Sequence, residues 1–191
     1  MYECPVFYAT TEGQTRRIAE RISAVLHEHG LESRAIDAAS NEALDVDWRR
    51  VCGVAVGASV HAGRHQQAIE TFIRAQRDQL AMRPSGFFSV SMRAASPQSA
   101  DREGAELLAR TFLGRTGWQP GQVAAVAGQL AYTKYGWVMR WIIKRIARRG
   151  GLSTDTTRDH DYTDWTQVAR FAETLAAAVH QASARNARAA S

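Results

Sequence analysis

A cluster of hydroxyls around one glycine, Thr10-Thr11-Glu12-Gly13-Gln14-Thr15, follows the apolar segment at residues 4–9 and precedes a helical pattern. A phosphate monoester needs several donors and no side chain in the way. The hydroxyls of Thr10, Thr11 and Thr15, backbone N–H groups left open at Gly13, and the positive end of the following helix supply them. The run lacks the Lys-Ser/Thr that closes a Walker-type loop and the G-x-G-x-x-G that receives a dinucleotide pyrophosphate. Its plainer alternative is a helix N-cap, with Thr10 or Thr11 capping and Gly13 incidental. The position of the run after the first strand of a parallel sheet favours phosphate.

A second loop, Gly57-Ala58-Ser59-Val60-His61-Ala62-Gly63, leaves the expected third strand. Its small residues let backbone approach a flat ring and offer N–H groups to ring heteroatoms, although a plain turn between strand and helix also uses glycine. A third loop, Ser91-Met92-Arg93-Ala94, leaves the fourth strand and completes the ring pocket, with Ser91 equally able to bond its own backbone. His61 is placed to donate to a ring or substrate, or to be an ordinary loop histidine. His27, His29, His160 and His180 show no metal spacing, and no metal site is expected. No nucleophile–base pair and no G-x-S-x-G elbow is present, as suits chemistry carried by a bound cofactor.

These loops need a scaffold, and strand and helix signals alternate nearly throughout. Residues 4–9, 32–37, 51–57, 86–92 and 122–128 read as strands, the third apolar enough to be buried on both faces. Helices are expected at residues 14–29 (Ile18, Ile22, Val25 and Leu26 at helical spacing), 65–81, 100–114 and from near Asp164 onward. This order predicts a doubly wound α/β sheet of five parallel strands in the order 2-1-3-4-5, whose switch point lies between the first and third strands. Pro5 conflicts with a central first strand unless it sits at the strand's start. Residues 1–182 are expected to form one domain, with an insertion at 129–163 after the fifth strand and a flexible tail at 183–191.

The insertion carries a second chemical signal. No acidic residue occurs between Gln129 and Ser153, while Lys134, Arg140, Lys144, Arg145, Arg148 and Arg149 all fall there, in a chain of net charge +5. Such a field suits an anionic partner, or is a solvated face balanced by the acidic residues that follow. Residues 135–149 read as a helix with Met139, Ile142, Ile143 and Ile146 on one side and Arg140, Lys144 and Arg148 opposite, flanked by Trp137 and Trp141. That helix packs on the domain or lies at a membrane surface. No run is long enough to span a bilayer, no signal-peptide layout opens the chain, and the two cysteines lack metal spacing, so a cytoplasmic protein without disulfides is expected.

The run ATTEGQTRRIAERI resembles the phosphate loop of flavodoxins. Taken with VGASVHAGRH, PSGFFSVSM, FLGRTGWQP, VAGQLAYTKYGW and YTDWTQVARFA, residues 6–175 resemble the flavodoxin-type, quinone-dependent protoporphyrinogen oxidases of haem biosynthesis. The resemblance implies a flavodoxin-like fold and FMN, with its phosphate on Thr10, Thr11, Glu12, Gly13, Gln14 and Thr15. The ring would lie against Ala58, Ser59, Val60, His61, Ala62 and Gly63, completed by Ser91, Met92 and Arg93. It implies oxidation of protoporphyrinogen IX in two-electron steps, with menaquinone or ubiquinone as acceptor and no catalytic side chain beyond the flavin. Peripheral contact with the anionic inner face of the cell membrane is expected, and no nucleic-acid partner; the oligomeric state stays open. The substrate's propionates would meet Arg93, Lys134 and Arg140, with Tyr132 or Trp137 against the macrocycle. One departure stands out: family members tend to carry Arg-Tyr where this chain has His61-Ala62, which alters stacking beside the flavin. A flavodoxin-like electron carrier or general quinone reductase, and a non-catalytic binding module of the same fold, are the competing readings.

Overall fold

The computed structural model describes residues 2–130 and 160–189. Along β1 (Val6–Ala9), Val6 and Tyr8 pack on one face of the sheet and Phe7 and Ala9 on the other, as the two-residue period of a strand dictates. The same division runs through β3 (Val54–His61) and β5 (Ser85–Ser91): Ala55, Phe88 and Val90 enter the first layer, and Val54, Val56, Ala58 and Phe87 the second. Strands apolar on both faces need helices on both. Ile18, Ile22, Val25 and Leu26 of α1 (Gln14–Glu28) cover one face, joined by Val168, Phe171, Leu175 and Val179 of the last helix, Trp165–Ala189. Ile69, Phe72 and Ile73, Leu80, and Phe112 and Leu113 cover the other.

The remaining elements are β2 (Ala35–Asp37), α2 (Asn41–Leu44), β4 (Arg64–His65), α3 (Gln67–Ala75), α4 (Arg77–Ala81), α5 (Ser99–Thr116), β6 (Gln122–Ala127), β7 (Gln129–Leu130) and β8 (His160–Asp161), with the last helix as α6. The strands β2-β1-β3-β5-β6 lie side by side in that order, all parallel, which is the expected 2-1-3-4-5 arrangement. Pro5 falls just before β1, where its missing N–H breaks no ladder bond. Its carbonyl accepts from the Ala55 N–H at 3.1 Å.

Several elements differ from the sequence reading. β3 does not stop at Gly57 but continues to His61, because Ser59 pairs in parallel with Val90 and Val60 pairs antiparallel with His65 of β4. Ala58, Ser59, Val60 and His61 are therefore strand, and only Ala62 and Gly63 form the turn. His65 belongs to β4 rather than to a helix, and the helix expected over 65–81 is two, broken at Gln76 (φ −105°, ψ 11°). The C-terminal segment beyond Ser183 is helical to Ala189 rather than loose, in keeping with its alanines and arginines. β7 and β8, which pair antiparallel, were not anticipated. The helix expected at 135–149 lies outside the described residues.

Both thiols are free; Cys4 is buried and Cys52 half-buried, and burial pushes both above the ordinary thiol range. Among the described residues no helix is long and apolar enough to cross a membrane.

Candidate functional site

Register brings the loops together. Ala9 pairs with Ala58, Ser59 with Val90 and Ser91 with Ala127, so the C-terminal ends of β1, β3, β5 and β6 share one edge of the sheet. This is where a doubly wound sheet binds ligands.

At the end of β1, Gly13 takes φ +100° and serves as the N-cap of α1 without any side-chain cap. An L side chain is strained at that φ, which accounts for the glycine. The Thr10 hydroxyl accepts the Gly13 N–H at 2.9 Å, ahead of the helix proper. Neither Thr10 nor Thr11 caps α1, so its first-turn N–H groups keep their positive end for another acceptor. Thr15 is fully buried, yet its Oγ1 has no partner. A buried hydroxyl left unmatched costs about 1–3 kcal/mol. An open helix N-terminus beside an unmatched hydroxyl is what a phosphate monoester satisfies.

The side chain of Gln14 turns elsewhere. Its Nε2 donates to Asp161 Oδ1 at 3.0 Å and to Thr163 Oγ1 at 2.7 Å, while its Oε1 accepts from Arg17 Nη1 at 2.9 Å. Arg17 also pairs with Asp161 at 3.5 Å and lies over the Trp165 ring. Thr163 in turn donates to the Ala127 carbonyl at 3.0 Å. Of Gln14, then, the backbone N–H is the group left for a ligand. Thr11 is exposed and Glu12 half-buried, and the Thr11 hydroxyl accepts from Gln66 Nε2 at 3.1 Å.

The second loop is a hairpin tip. Ala62 (φ +47°) and Gly63 (φ +76°) give the paired positive φ of a type I′ turn, and Ala62 is the one non-glycine at positive φ among the described residues. His61, Ala62 and Gly63 are exposed, Ser59 and Val60 half-buried, and Ala58 buried. In the hairpin's second strand His65 is buried against Phe112, its ring 4.3 Å away, and its Nε2 shares a hydrogen bond with Ser89 Oγ at 2.8 Å. Burial, aided by the charge of Arg115, pulls the His65 pKa down to about 4, so the imidazole is neutral at pH 7.

In the third loop Ser91 is buried and its hydroxyl accepts the Ala94 N–H at 3.3 Å, the local backbone bond foreseen as its plainer role. Met92 is half-buried, and Arg93 is exposed. Sequence reasoning missed Gln66, His65, Asp161 and Thr163. The last two lie in or beside the YTDW segment that carried the resemblance, whereas nothing in the local sequence distinguishes Gln66.

A family model described as a flavodoxin domain matches residues 5–157. The chain is 34% identical over 171 residues to the Escherichia coli (strain K12) protein named protoporphyrinogen IX dehydrogenase (quinone), covering 90% of this chain and 93% of that one. It belongs to the flavodoxin-type, quinone-dependent protoporphyrinogen IX dehydrogenase family. A protein of the same name from Leishmania major is 32% identical over 179 residues, covering 92% of this chain and 75% of that one. Among solved structures, a flavodoxin from Streptococcus pneumoniae TIGR4 superposes with a TM-score of 0.54 at 16% identity, over 91% of this chain and 97% of that one, a likeness of fold.

FMN is the cofactor of this flavodoxin-type family, and the open α1 N-terminus with the unmatched Thr15 hydroxyl fits its phosphate. Of the substrate contacts expected, Arg93 alone lies among the described residues. Its Nε meets Asp101 Oδ1 at 3.3 Å, and its guanidinium lies on Gly104 of α5, where a Cβ would come within 2.7 Å of Cζ. Tyr132, Lys134, Trp137 and Arg140, with Trp141, Lys144 and Arg148, lie outside the described residues.

Proposed function

We infer that the chain is an FMN-dependent dehydrogenase that oxidises protoporphyrinogen IX to protoporphyrin IX and delivers the electrons to a quinone. The observation that carries this reading is the match along 90% of the chain to proteins named for that reaction. Coverage that complete cannot omit a segment as long as residues 131–159, so the match extends beyond the common five-stranded body.

Bound FMN supplies the acceptor for the electron pairs leaving the macrocycle and the donor to the quinone. The chain's own contribution is to bind and orient. The α1 N-terminus and the hydroxyls of Thr10 and Thr15 hold the phosphate. The β3–β4 hairpin (Ala58 to Gly63) and the loop of Ser91, Met92 and Arg93 flank the ring. A porphyrinogen is a wide apolar disc with two propionates, so its site needs a flat mouth with cations at the rim. Arg93, Lys134 and Arg140 are assigned to the propionates, with Tyr132 or Trp137 against the disc. In this reading Asp101 holds Arg93 at the rim while leaving it solvent-facing. Trp137, Trp141, Arg140, Lys144 and Arg148 are assigned to an anionic membrane surface, near the quinone that takes the electrons.

The test is anaerobic turnover of protoporphyrinogen IX by the flavin-loaded protein, followed by porphyrin fluorescence with and without menaquinone or ubiquinone. Fluorescence should rise only when quinone is present. Arg93→Gln combined with Arg140→Gln should raise KM for protoporphyrinogen at unchanged FMN content. A flavin that dithionite reduces but that supports no turnover would make the protein an electron carrier instead.

A further inference from the structure

Gln66 stands between the loop after β1 and the β3–β4 hairpin, which are assigned to opposite ends of the cofactor. It follows β4 directly and is the N-cap residue of α3. Its Nε2 donates to Thr11 Oγ1 at 3.1 Å in the phosphate loop and to Ser59 Oγ at 2.5 Å in β3. Its Oε1 is buried and has no partner. Hydroxyls both donate and accept, so either orientation of the amide keeps one end between Thr11 and Ser59 and leaves the other end buried and unmatched. An amide held this way carries a desolvation cost that an apolar side chain of the same size would avoid. What glutamine supplies here, and an apolar side chain would not, is a link between the Thr11 hydroxyl of the loop after β1 and the Ser59 hydroxyl of β3.

The elements that it joins are the ones that need fixing. Thr11 is exposed on the phosphate loop, and Ser59 lies in the strand that ends in the positive-φ turn at Ala62. We propose that Gln66 is a positioning residue that couples the phosphate loop to the β3–β4 hairpin, so that filling either half of the site strengthens binding at the other. The proposal rests on the FMN reading of the site. A ligand that orders Thr11 orders Gln66 and with it Ser59, so a second ligand meets a hairpin already in place.

Riboflavin and inorganic phosphate separate the two halves. Riboflavin affinity of the flavin-free protein is measured by fluorescence quenching with and without inorganic phosphate, at ionic strength matched with chloride. In the parent protein phosphate should tighten riboflavin binding by roughly tenfold, within the usual range for coupled sites. In Gln66→Met, which keeps the size and loses both bonds, the effect should fall below about twofold, as it should in Ser59→Ala, which removes one anchor only. Both variants should keep a cooperative thermal unfolding transition. Coupling undiminished in a folded variant, or absent from the parent, overturns the proposal and leaves the FMN reading standing. A parent that takes up neither FMN nor riboflavin overturns that reading itself.

Discussion

Gln14 Nε2 donates to Thr163 Oγ1 across 2.7 Å, tying the first residue of α1 to the chain where it returns from residues 131–159. Both side chains are buried, and Asp161, Arg17 and the Ala127 carbonyl complete the network. The start of α1 and the two ends of residues 131–159 are thus one hydrogen-bonded unit.

Cutting that tie should cost stability. Gln14→Leu removes the donor to the buried Thr163 hydroxyl and leaves Asp161 to Arg17 and the Thr163 N–H, and the loss should be about 1–3 kcal/mol by urea unfolding. Gln14→Glu should be worse near neutral pH, since it sets a carboxylate against Asp161. Wild-type stability in both variants would show that the network is decorative.

Gly13→Val and Thr15→Val address the phosphate. Valine at the Gly13 φ of +100° distorts the N-cap, and Thr15→Val removes the unmatched hydroxyl. A hydrogen bond to a charged group is worth about 1.5–3 kcal/mol, so the FMN dissociation constant should rise roughly 10–150-fold. Full FMN occupancy in both folded variants would place the phosphate elsewhere.

His65 predicts an acid sensitivity. The unfolded chain takes up a proton near pH 6.5, while the folded imidazole resists until about pH 4. Between those values the unfolded state binds more protons, so stability falls as pH falls. The full window is worth about 3 kcal/mol, read as the difference in unfolding free energy between wild type and His65→Leu across pH 7 to 4. Parallel curves for the two proteins would contradict a neutral buried His65.

The membrane assignment is checked with vesicles containing anionic lipid. Each basic residue near such a surface contributes about 1 kcal/mol, screened by salt. Co-sedimentation should weaken as salt rises and on charge reversal of Arg140, Lys144 and Arg148. Binding indifferent to both changes would leave that segment without a lipid role.

The strand order was legible because buried parallel strands write continuous apolar runs, and the place of the Thr10–Thr15 run between β1 and α1 because an apolar run precedes it and a helical pattern follows. The end of β3 was not. Gly57-Ala58-Ser59 reads as a loop, and the partner that makes it strand, His65, pairs through backbone bonds that no residue type announces. The side-chain bonds of Gln14 were not legible either, because its partners Asp161 and Thr163 are distant in sequence and meet it only in the fold. Gln66 was invisible for the same reason, its role depending on two hydroxyls brought to it by different strands.

The antiparallel pairing of Gln129 with Asp161 and Leu130 with His160 means that the chain enters and leaves residues 131–159 through neighbouring backbone atoms. The two ends of the segment are thus held side by side, apart from the main sheet, so a change of length between them need not move a strand of that sheet. Joining Leu130 to His160 through Asn-Gly would close the same pair as a two-residue hairpin. With both ends fixed in this way, exchanging what lies between them leaves the strands that carry the Thr10–Thr15 loop where they are.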